Sequence, residues 1–307
     1  MVIANRLHKG DRIGIVSPSS AITRSSKSKL KKGIKFLKGL GFEVELGRNA
    51  LKSLGELAGT PEEKAEDINS MFADRQIKAV FASQGGNGAN TCLPYVDYSS
   101  TRENPKVFLG MSDITVILNA IYCKAGLVTF HGGDLVYGLS SPSSFEKEEF
   151  VGRLIEGKIG EVKRNSGRKT IRRGEATGKL LGGNLGVLLQ LAGTPYLPDF
   201  SESVLFIEAF KPTPERCYEY FGQLEQMGIL SKVRGVVVGY IYSLQTSKRR
   251  VPQMEDILLE VGRRHDFPIL KVNDFGHTCP NTVLPVGAKV SLDATEKKLE
   301  ILEPCVN

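Results

Sequence analysis

The segment Phe108-Leu109-Gly110-Met111-Ser112-Asp113-Ile114-Thr115 places a serine between an apolar, strand-like run and the start of an amphipathic helical pattern. A serine in such a turn is lifted out of a sheet and sits at the positive end of a helix dipole. The N–H after it is free, because the first helical N–H groups have no intrahelical partner, and it can hold a developing oxyanion. This is the logic of a nucleophile elbow, although Asp113 and Ile114 follow Ser112 and the G-x-S-x-G form is not met. The competing reading is a plain serine N-cap, with Asp113 supporting the dipole.

A serine nucleophile needs a base, and the base needs an orienting acid. His277 lies in the turn-rich stretch Asn273-Asp274-Phe275-Gly276-His277-Thr278-Cys279-Pro280-Asn281. Glycine before it and Pro-Asn after it suggest a fixed, irregular backbone of the kind that often carries catalytic groups; a hydrogen-bonded loop histidine fits as well. His131 follows a strand-like run and is the reserve base, its alternative being a histidine satisfied in the core. His8 lies in a charged N-terminal segment and His265 near a polar helix end. Glu208 closes the apolar run Val204-Leu205-Phe206-Ile207. At the carboxyl end of a buried strand it can orient an imidazole, or it is a solvated strand-end acid.

Ser83-Gln84-Gly85-Gly86-Asn87-Gly88 follows another strand. Paired glycines let backbone N–H groups approach a ligand closely, so the segment can supply a second oxyanion donor or cradle an anion; an ordinary glycine turn is the alternative. No Lys-Ser/Thr follows, so it is not a Walker loop. Leu181-Gly182-Gly183-Asn184-Leu185-Gly186 is a similar case, in which Asn184 either lines a cleft or caps a helix.

The elements that must position these groups alternate. Arg12 to Val16, Phe42 to Leu46, Ile77 to Ser83, Val107 to Gly110 and Val128 to His131 read as strands. Between them, Leu30, Ile34 and Leu37 mark one helix face, Thr60-Pro61-Glu62-Glu63 is a capped helix start, and Ile114, Ile117, Leu118 and Ile121 mark another face. Strands separated by helices imply parallel pairing in a three-layer α/β sheet, with sites beyond the carboxyl ends of the strands. From Ser140 to Thr177 the pattern weakens into a Ser-, Gly- and Lys/Arg-rich connector. A second unit follows, with strands at Leu205 to Glu208 and Gly235 to Tyr240, helices at Thr213 to Gln226 and Met254 to His265, and a hairpin from Ala288 to Leu302. The expected division is an N-terminal domain at 1–160 carrying the nucleophile, a connector at 161–177, and a smaller, β-rich α/β domain at 178–307 carrying the glutamate and histidine.

Composition narrows the partners. With 41% hydrophobic and 24% charged residues, the 307-residue chain has a globular profile with material for two cores. The net charge of +7 comes with two basic runs, Lys27 to Lys38 and Lys163 to Arg173. Neither is interleaved with aromatic residues as a nucleic-acid platform favours, so both read as solvated faces and no nucleic-acid partner is expected. Five cysteines without a CxxC pair fit neither a disulfide framework nor a zinc site. The absence of an apolar leader or a run of about 20 apolar residues sets the expectation of a cytoplasmic protein without a membrane partner.

Taken in order, these segments resemble the LD-carboxypeptidase family of serine peptidases, which includes murein tetrapeptide carboxypeptidases and microcin C self-immunity hydrolases. The likeness covers nearly the whole chain. It rests on Gly10-Asp11-Arg12-Ile13-Gly14-Ile15-Val16-Ser17-Pro18-Ser19, Gly85-Gly86, Leu93-Pro94-Tyr95-Val96-Asp97-Tyr98, Gly110-Met111-Ser112-Asp113, Gly182-Gly183-Asn184-Leu185, Leu205-Phe206-Ile207-Glu208, Gly276-His277 and Pro285-Val286-Gly287. The resemblance implies a catalytic Ser112, Glu208 and His277, oxyanion donors at the N–H groups of Gly86 and Asp113, a cleft between two domains, a homodimer, and no metal or cofactor. The implied substrate is a small peptide: a murein-derived tetrapeptide cut before its C-terminal D-residue.

One departure bears on that substrate. Murein-cleaving members typically show Arg-Gly-Gly-Tyr-Gly where this chain has Gln84-Gly85-Gly86-Asn87-Gly88. Gln84, Gly85, Asn87 and Asn184 are the candidate substrate-binding residues. This segment leans toward the immunity branch, which acts on peptidyl or aminoacyl adenylate analogues, as do Asn104-Pro105-Lys106-Val107 and Leu292-Asp293-Ala294-Thr295. Against that branch, the span from Ser112 to Glu208 is short and no tryptophan is present to stack on an adenine. The reading adopted is the murein carboxypeptidase. Its rivals are the immunity-type hydrolase, a non-catalytic peptide-binding protein, and a glutamine-amidotransferase-like enzyme. The last needs a cysteine at an elbow, where neither Cys92 nor Cys123 sits.

Overall fold

The computed structural model describes all 307 residues. Its first part runs β1 (Arg12–Val16), α1 (Arg24–Gly39), β2 (Glu43–Leu46), α2 (Pro61–Ala73), β3 (Ile77–Ala82), α3 (Tyr98–Glu103), β4 (Val107–Gly110), α4 (Thr115–Ala125) and β5 (Thr129–His131). The helix starts follow from local chemistry. Thr23 and Thr60 each accept the N–H three residues on, and Ser26 and Glu63 reach back to close capping boxes. β3 and β4 are almost wholly buried apolar runs, as strands covered on both faces must be.

The second part runs α5 (Ser144–Phe150), β6 (Gly160–Glu161), β7 (Lys169–Arg172), β8 (Glu175–Asn184), α6 (Leu185–Leu188), β9 (Ser203–Glu208), α7 (Pro214–Gln226), β10 (Gly235–Tyr240), α8 (Tyr242–Gln245), α9 (Met254–Val261), β11 (Ile269–Gly276), β12 (Leu284–Val286), β13 (Lys289–Asp293) and β14 (Lys298–Ile301). α9 stops four residues short of the expected His265, with Gly262 as its C-cap.

The strands form two sheets. The first has the order β12-β5-β4-β3-β1-β2, and β1 to β5 pair in parallel. The sequence neighbours β2 and β3 flank β1 on either side, so a crevice opens beyond the carboxyl ends of β1 and β3. There Ser17 Oγ, after β1, meets Ser83 Oγ, after β3, at 2.7 Å. The second sheet has the order β6-β14-β13-β8-β9-β10-β11-β7, parallel from β8 to β11 and antiparallel outside them. The expected hairpin is the β13–β14 pair. The fold is two-sheet α/β, and one buried apolar cluster of 83 residues runs through both sheets.

Two expectations need correction. The stretch from 140 to 177 is not bare connector: it holds α5, and β6 and β7 form the two edges of the second sheet. Its basic run is only partly solvated. The Arg168 side chain is fully buried, donates from Nε to Asp274 Oδ2 at 2.8 Å, and reaches the Val162 and Lys297 carbonyls. Short strands of mixed composition carry no clear period, which is why the pattern there is weak. No helix is long and apolar enough to cross a membrane.

Candidate active site

Ser112 opens a single helical turn (Ser112–Ile114) between β4 and α4, with φ at +62°. This left-handed backbone is uncommon for a residue with a Cβ and turns the side chain out of the line of the strand. Glu208 is the last residue of β9, and His277 follows the last residue of β11. The three meet. His277 Nε2 lies 3.0 Å from Ser112 Oγ, and His277 Nδ1 lies 2.5 Å from Glu208 Oε2. The second carboxylate oxygen of Glu208 accepts from Asn184 Nδ2 at 2.9 Å. Asn184 stands beside Glu208 in the β8–β9 register, and its Oδ1 caps α6 through the Val187 N–H. It therefore serves as a helix cap and a brace at once.

The electrostatics follow from burial and pairing. Glu208 is wholly buried, which by itself raises a carboxyl pKa; the charge and hydrogen bond of His277 more than offset this and hold it below the ordinary value. Burial by itself lowers the His277 pKa, but Glu208, with a further contribution from Asp134, carries it above the ordinary histidine value. With Glu208 ionised, the neutral imidazole keeps its proton on Nδ1. Nε2 is then the acceptor facing the Ser112 hydroxyl.

The glycine turn after β3 lies against this serine. A methyl group built on Gly85 would sit 2.8 Å from Ser112 Cβ and 3.1 Å from its Oγ. Gly86 has φ at +131°, and a methyl there would lie 2.0 Å from Ser20 Oγ. Gly86 and Asn87 are exposed, and the Gly86 N–H has no partner within the protein. The Gly85 N–H is taken by Asp134 Oδ2 at 3.3 Å. Gln84 is turned inward, its amide donating to the Ser20 and Ala21 carbonyls. The Asn87 N–H donates to Ser20 Oγ at 3.2 Å.

The other histidines stand apart. His131 is fully buried, with Phe206 and Phe275 edge-on to its ring and no partner on either nitrogen. Burial lowers its pKa to about 4, so it is neutral near pH 7. His265 pairs with Glu225, and His8 is exposed. Three neighbours of the site fall outside the sequence-based expectations. Asp134 follows Gly132-Gly133 after β5, and an acid directly behind a glycine pair is the one local mark by which it could be found. Phe210 is exposed, with its ring centroid 4.8 Å from that of His277, and the Lys211 ammonium lies 5.2 Å from the Phe210 ring. No group of three or more His, Cys, Asp or Glu side chains converges as a metal cage.

Residues 13–132 match the model of the LD-carboxypeptidase N-terminal domain, and residues 177–292 match that of the LD-carboxypeptidase C-terminal domain. The chain belongs to the LD-carboxypeptidase family. As a member of this serine-peptidase family it is an enzyme, a serine-type hydrolase. It is 33% identical to a Bacillus subtilis protein named "Probable murein peptide carboxypeptidase", over 95% of this chain and 91% of that one. It is 28% identical to the Escherichia coli microcin C7 self-immunity protein MccF, over 98% and 96%. A solved structure of MccF in complex with glutamyl sulfamoyl guanosine superposes with a TM-score of 0.92 at 26% identity, covering the whole of both chains.

Proposed function

We propose that this family member is a serine carboxypeptidase that hydrolyses the amide bond before the C-terminal D-residue of murein-derived tetrapeptides. Ser112 is the nucleophile, His277 the general base and Glu208 the orienting acid. The observation that carries the chemistry is the unbroken relay from Glu208 through His277 to Ser112, at 2.5 and 3.0 Å. Ser112 Oγ attacks the amide carbonyl as its proton passes to His277 Nε2. The N–H groups of Gly86 and Asp113 hold the oxyanion, each such donor contributing about 3 kcal/mol. Collapse breaks the C–N bond, and the proton on Nε2 goes to the leaving amine. Water then gives a proton to Nε2 and attacks the ester, releasing the acid and restoring Ser112.

The mouth of the site supports a small anionic substrate. Phe210 offers an apolar face beside the imidazole, and Lys211 brings a cation to it. These fit a peptide that ends in a carboxylate. A second reading, hydrolysis of peptidyl or aminoacyl adenylate analogues, draws on the close superposition with MccF. The absence of tryptophan leaves that reading without an indole to stack on a nucleobase. Parallel assays of a murein tetrapeptide and an acyl-sulfamoyl adenosine separate the two. Release of the terminal D-residue at the higher kcat/KM supports the carboxypeptidase, and the reverse ranking replaces it.

A further inference from the structure

The glycine turn is held at both ends by carboxylates that the reaction itself does not use. At its start, Asp134 Oδ2 accepts the Gly85 N–H at 3.3 Å, while Asp134 Oδ1 accepts the Tyr137 N–H at 2.7 Å. At its end, Asp113 Oδ2 accepts the Ala89 N–H at 2.8 Å and the Ser19 hydroxyl at 2.5 Å. Lys64 adds a bond to the Gly88 carbonyl at 3.2 Å. Both acids are all but inaccessible, at 3% exposure for Asp134 and 1% for Asp113. Burying a carboxylate is costly unless its hydrogen bonds are satisfied. The desolvation is visible in both, raising Asp134 to about 6 and Asp113 above its ordinary value. What these bonds fix in common is the path of 85–89 beside Ser112.

We propose that Asp113 and Asp134 are positioning residues that clamp the 85–89 turn, so that the Gly86 N–H is aimed at the oxyanion formed on Ser112. This deepens the serine-hydrolase reading and rests on it. Asp134 occupies the Gly85 N–H, which leaves the next N–H along the turn to face the site. Asp113 ties the far end of the turn to the residue immediately after the nucleophile, so turn and serine keep a fixed spacing. Misplacement of a reacting partner by about 1 Å can cost on the order of 100-fold in rate.

The two carboxylates differ in a way that a substitution reads out. Asp113 serves both of its partners through one oxygen, so the Asp113→Asn variant can present its amide carbonyl oxygen to both. Asp134 uses its two oxygens for two N–H groups, so the Asp134→Asn variant must turn an NH2 toward one of them. The experiment is saturation kinetics of a fluorophosphonate probe on the full chain, with the labelled residue located by mass spectrometry. The rate constant kinact counts only folded, probe-bound protein, so a merely structural loss lowers the labelled fraction and leaves kinact alone. Asp113→Ala and Asp134→Asn are expected to lower kinact by about 10- to 100-fold with KI little changed. Asp113→Asn is expected to recover most of the loss seen in Asp113→Ala. Wild-type protein labelled at Ser112, with kinact unchanged in the variants, overturns the clamp alone. Wild-type protein that is not labelled at Ser112 overturns the nucleophile assignment and the clamp with it. Should Asp113→Ala fail to fold, Asp134→Asn decides, with kinact taken on the pH plateau above the His277 titration so that the Asp134 contribution to the imidazole does not enter.

Discussion

His277 Nδ1 and Glu208 Oε2 lie 2.5 Å apart, and Glu208 has no exposure to water. In this pair the histidine is held above its ordinary value of 6.5 and the glutamate below its ordinary value of 4.5, despite the burial of both. A base must be neutral to accept a proton. Activity is therefore expected to fall as pH drops through the raised His277 value, with the acid limb of kcat/KM centred above 6.5. Glu208→Gln removes the cause of the shift, so the limb should move to lower pH while kcat drops by about 10²- to 10⁴-fold. A wild-type limb at or below the ordinary histidine value, measured on initial rates, would count against the pairing.

The same linkage predicts where the pair stabilises the fold. The His277 contribution is complete below the unfolded histidine value and is lost as pH rises through the raised folded one. The Glu208 contribution is complete above the unfolded glutamate value and is lost as pH falls through the lowered folded one. The difference in melting temperature between wild type and Glu208→Gln should therefore be largest between those two titrations and shrink on either side. A difference that stays flat across the pH range would contradict this.

Ser112 sits at φ of +62°, a conformation that costs a non-glycine residue about 1 kcal/mol or more. Ser112→Ala keeps that strain and loses the hydroxyl. It should reduce turnover by about 10⁴-fold or more with an unchanged circular dichroism spectrum. Ser112→Gly should be equally inactive yet more stable than Ser112→Ala by about 1 kcal/mol, as read from urea midpoints. Retained activity in either variant would remove Ser112 from the mechanism.

Gly86 has no room for a side chain, since a Cβ would lie 2.0 Å from Ser20 Oγ and φ is +131°. Gly86→Ala is expected to lower kcat by about 100-fold and to affect KM less. The added Ser20→Gly change, which removes the hydroxyl, should restore part of the rate. Steady-state kinetics on the single and double variants check both statements.

The buried Arg168–Asp274 pair ties β7's approach to β11 three residues before His277. Arg168→Ala strands a buried carboxylate and should destabilise the protein by about 3–5 kcal/mol in urea unfolding. Asp274 also accepts the Asn165 N–H, so replacing the arginine alone leaves that bond in place. A loss below about 1 kcal/mol, the range of exposed pairs, would show that the charge is reached by water.

The parallel strands, the capped helices and the serine, glutamate and histidine were legible because each leaves a local mark. Thr60-Pro61-Glu62-Glu63 spells its own cap, and Val204 to Glu208 shows a buried strand ending in an acid. Arg168, Asp134 and Phe210 left weaker traces. Arg168 stands among exposed basic neighbours and is set apart by distant partners, among them Asp274, 106 residues away. Asp134 gains its role from Gly85, 49 residues upstream. Long-range partners of this kind have no period or spacing in the chain, so burial and pairing appear only once the sheets are assembled.

β12 belongs to the first sheet, pairing with β5, although β11 before it and β13 after it belong to the second. Residues 277–283, which begin with the imidazole, are thus moored to a different sheet at each end. A clamshell swing of one half against the other would stretch that mooring and draw the proton acceptor off its serine. A swing wide enough to part the sheets works against the Ser112–His277 spacing. Gly86, Asn87 and Phe210 stand exposed beside the site, so a way in to the serine stays open without such a swing.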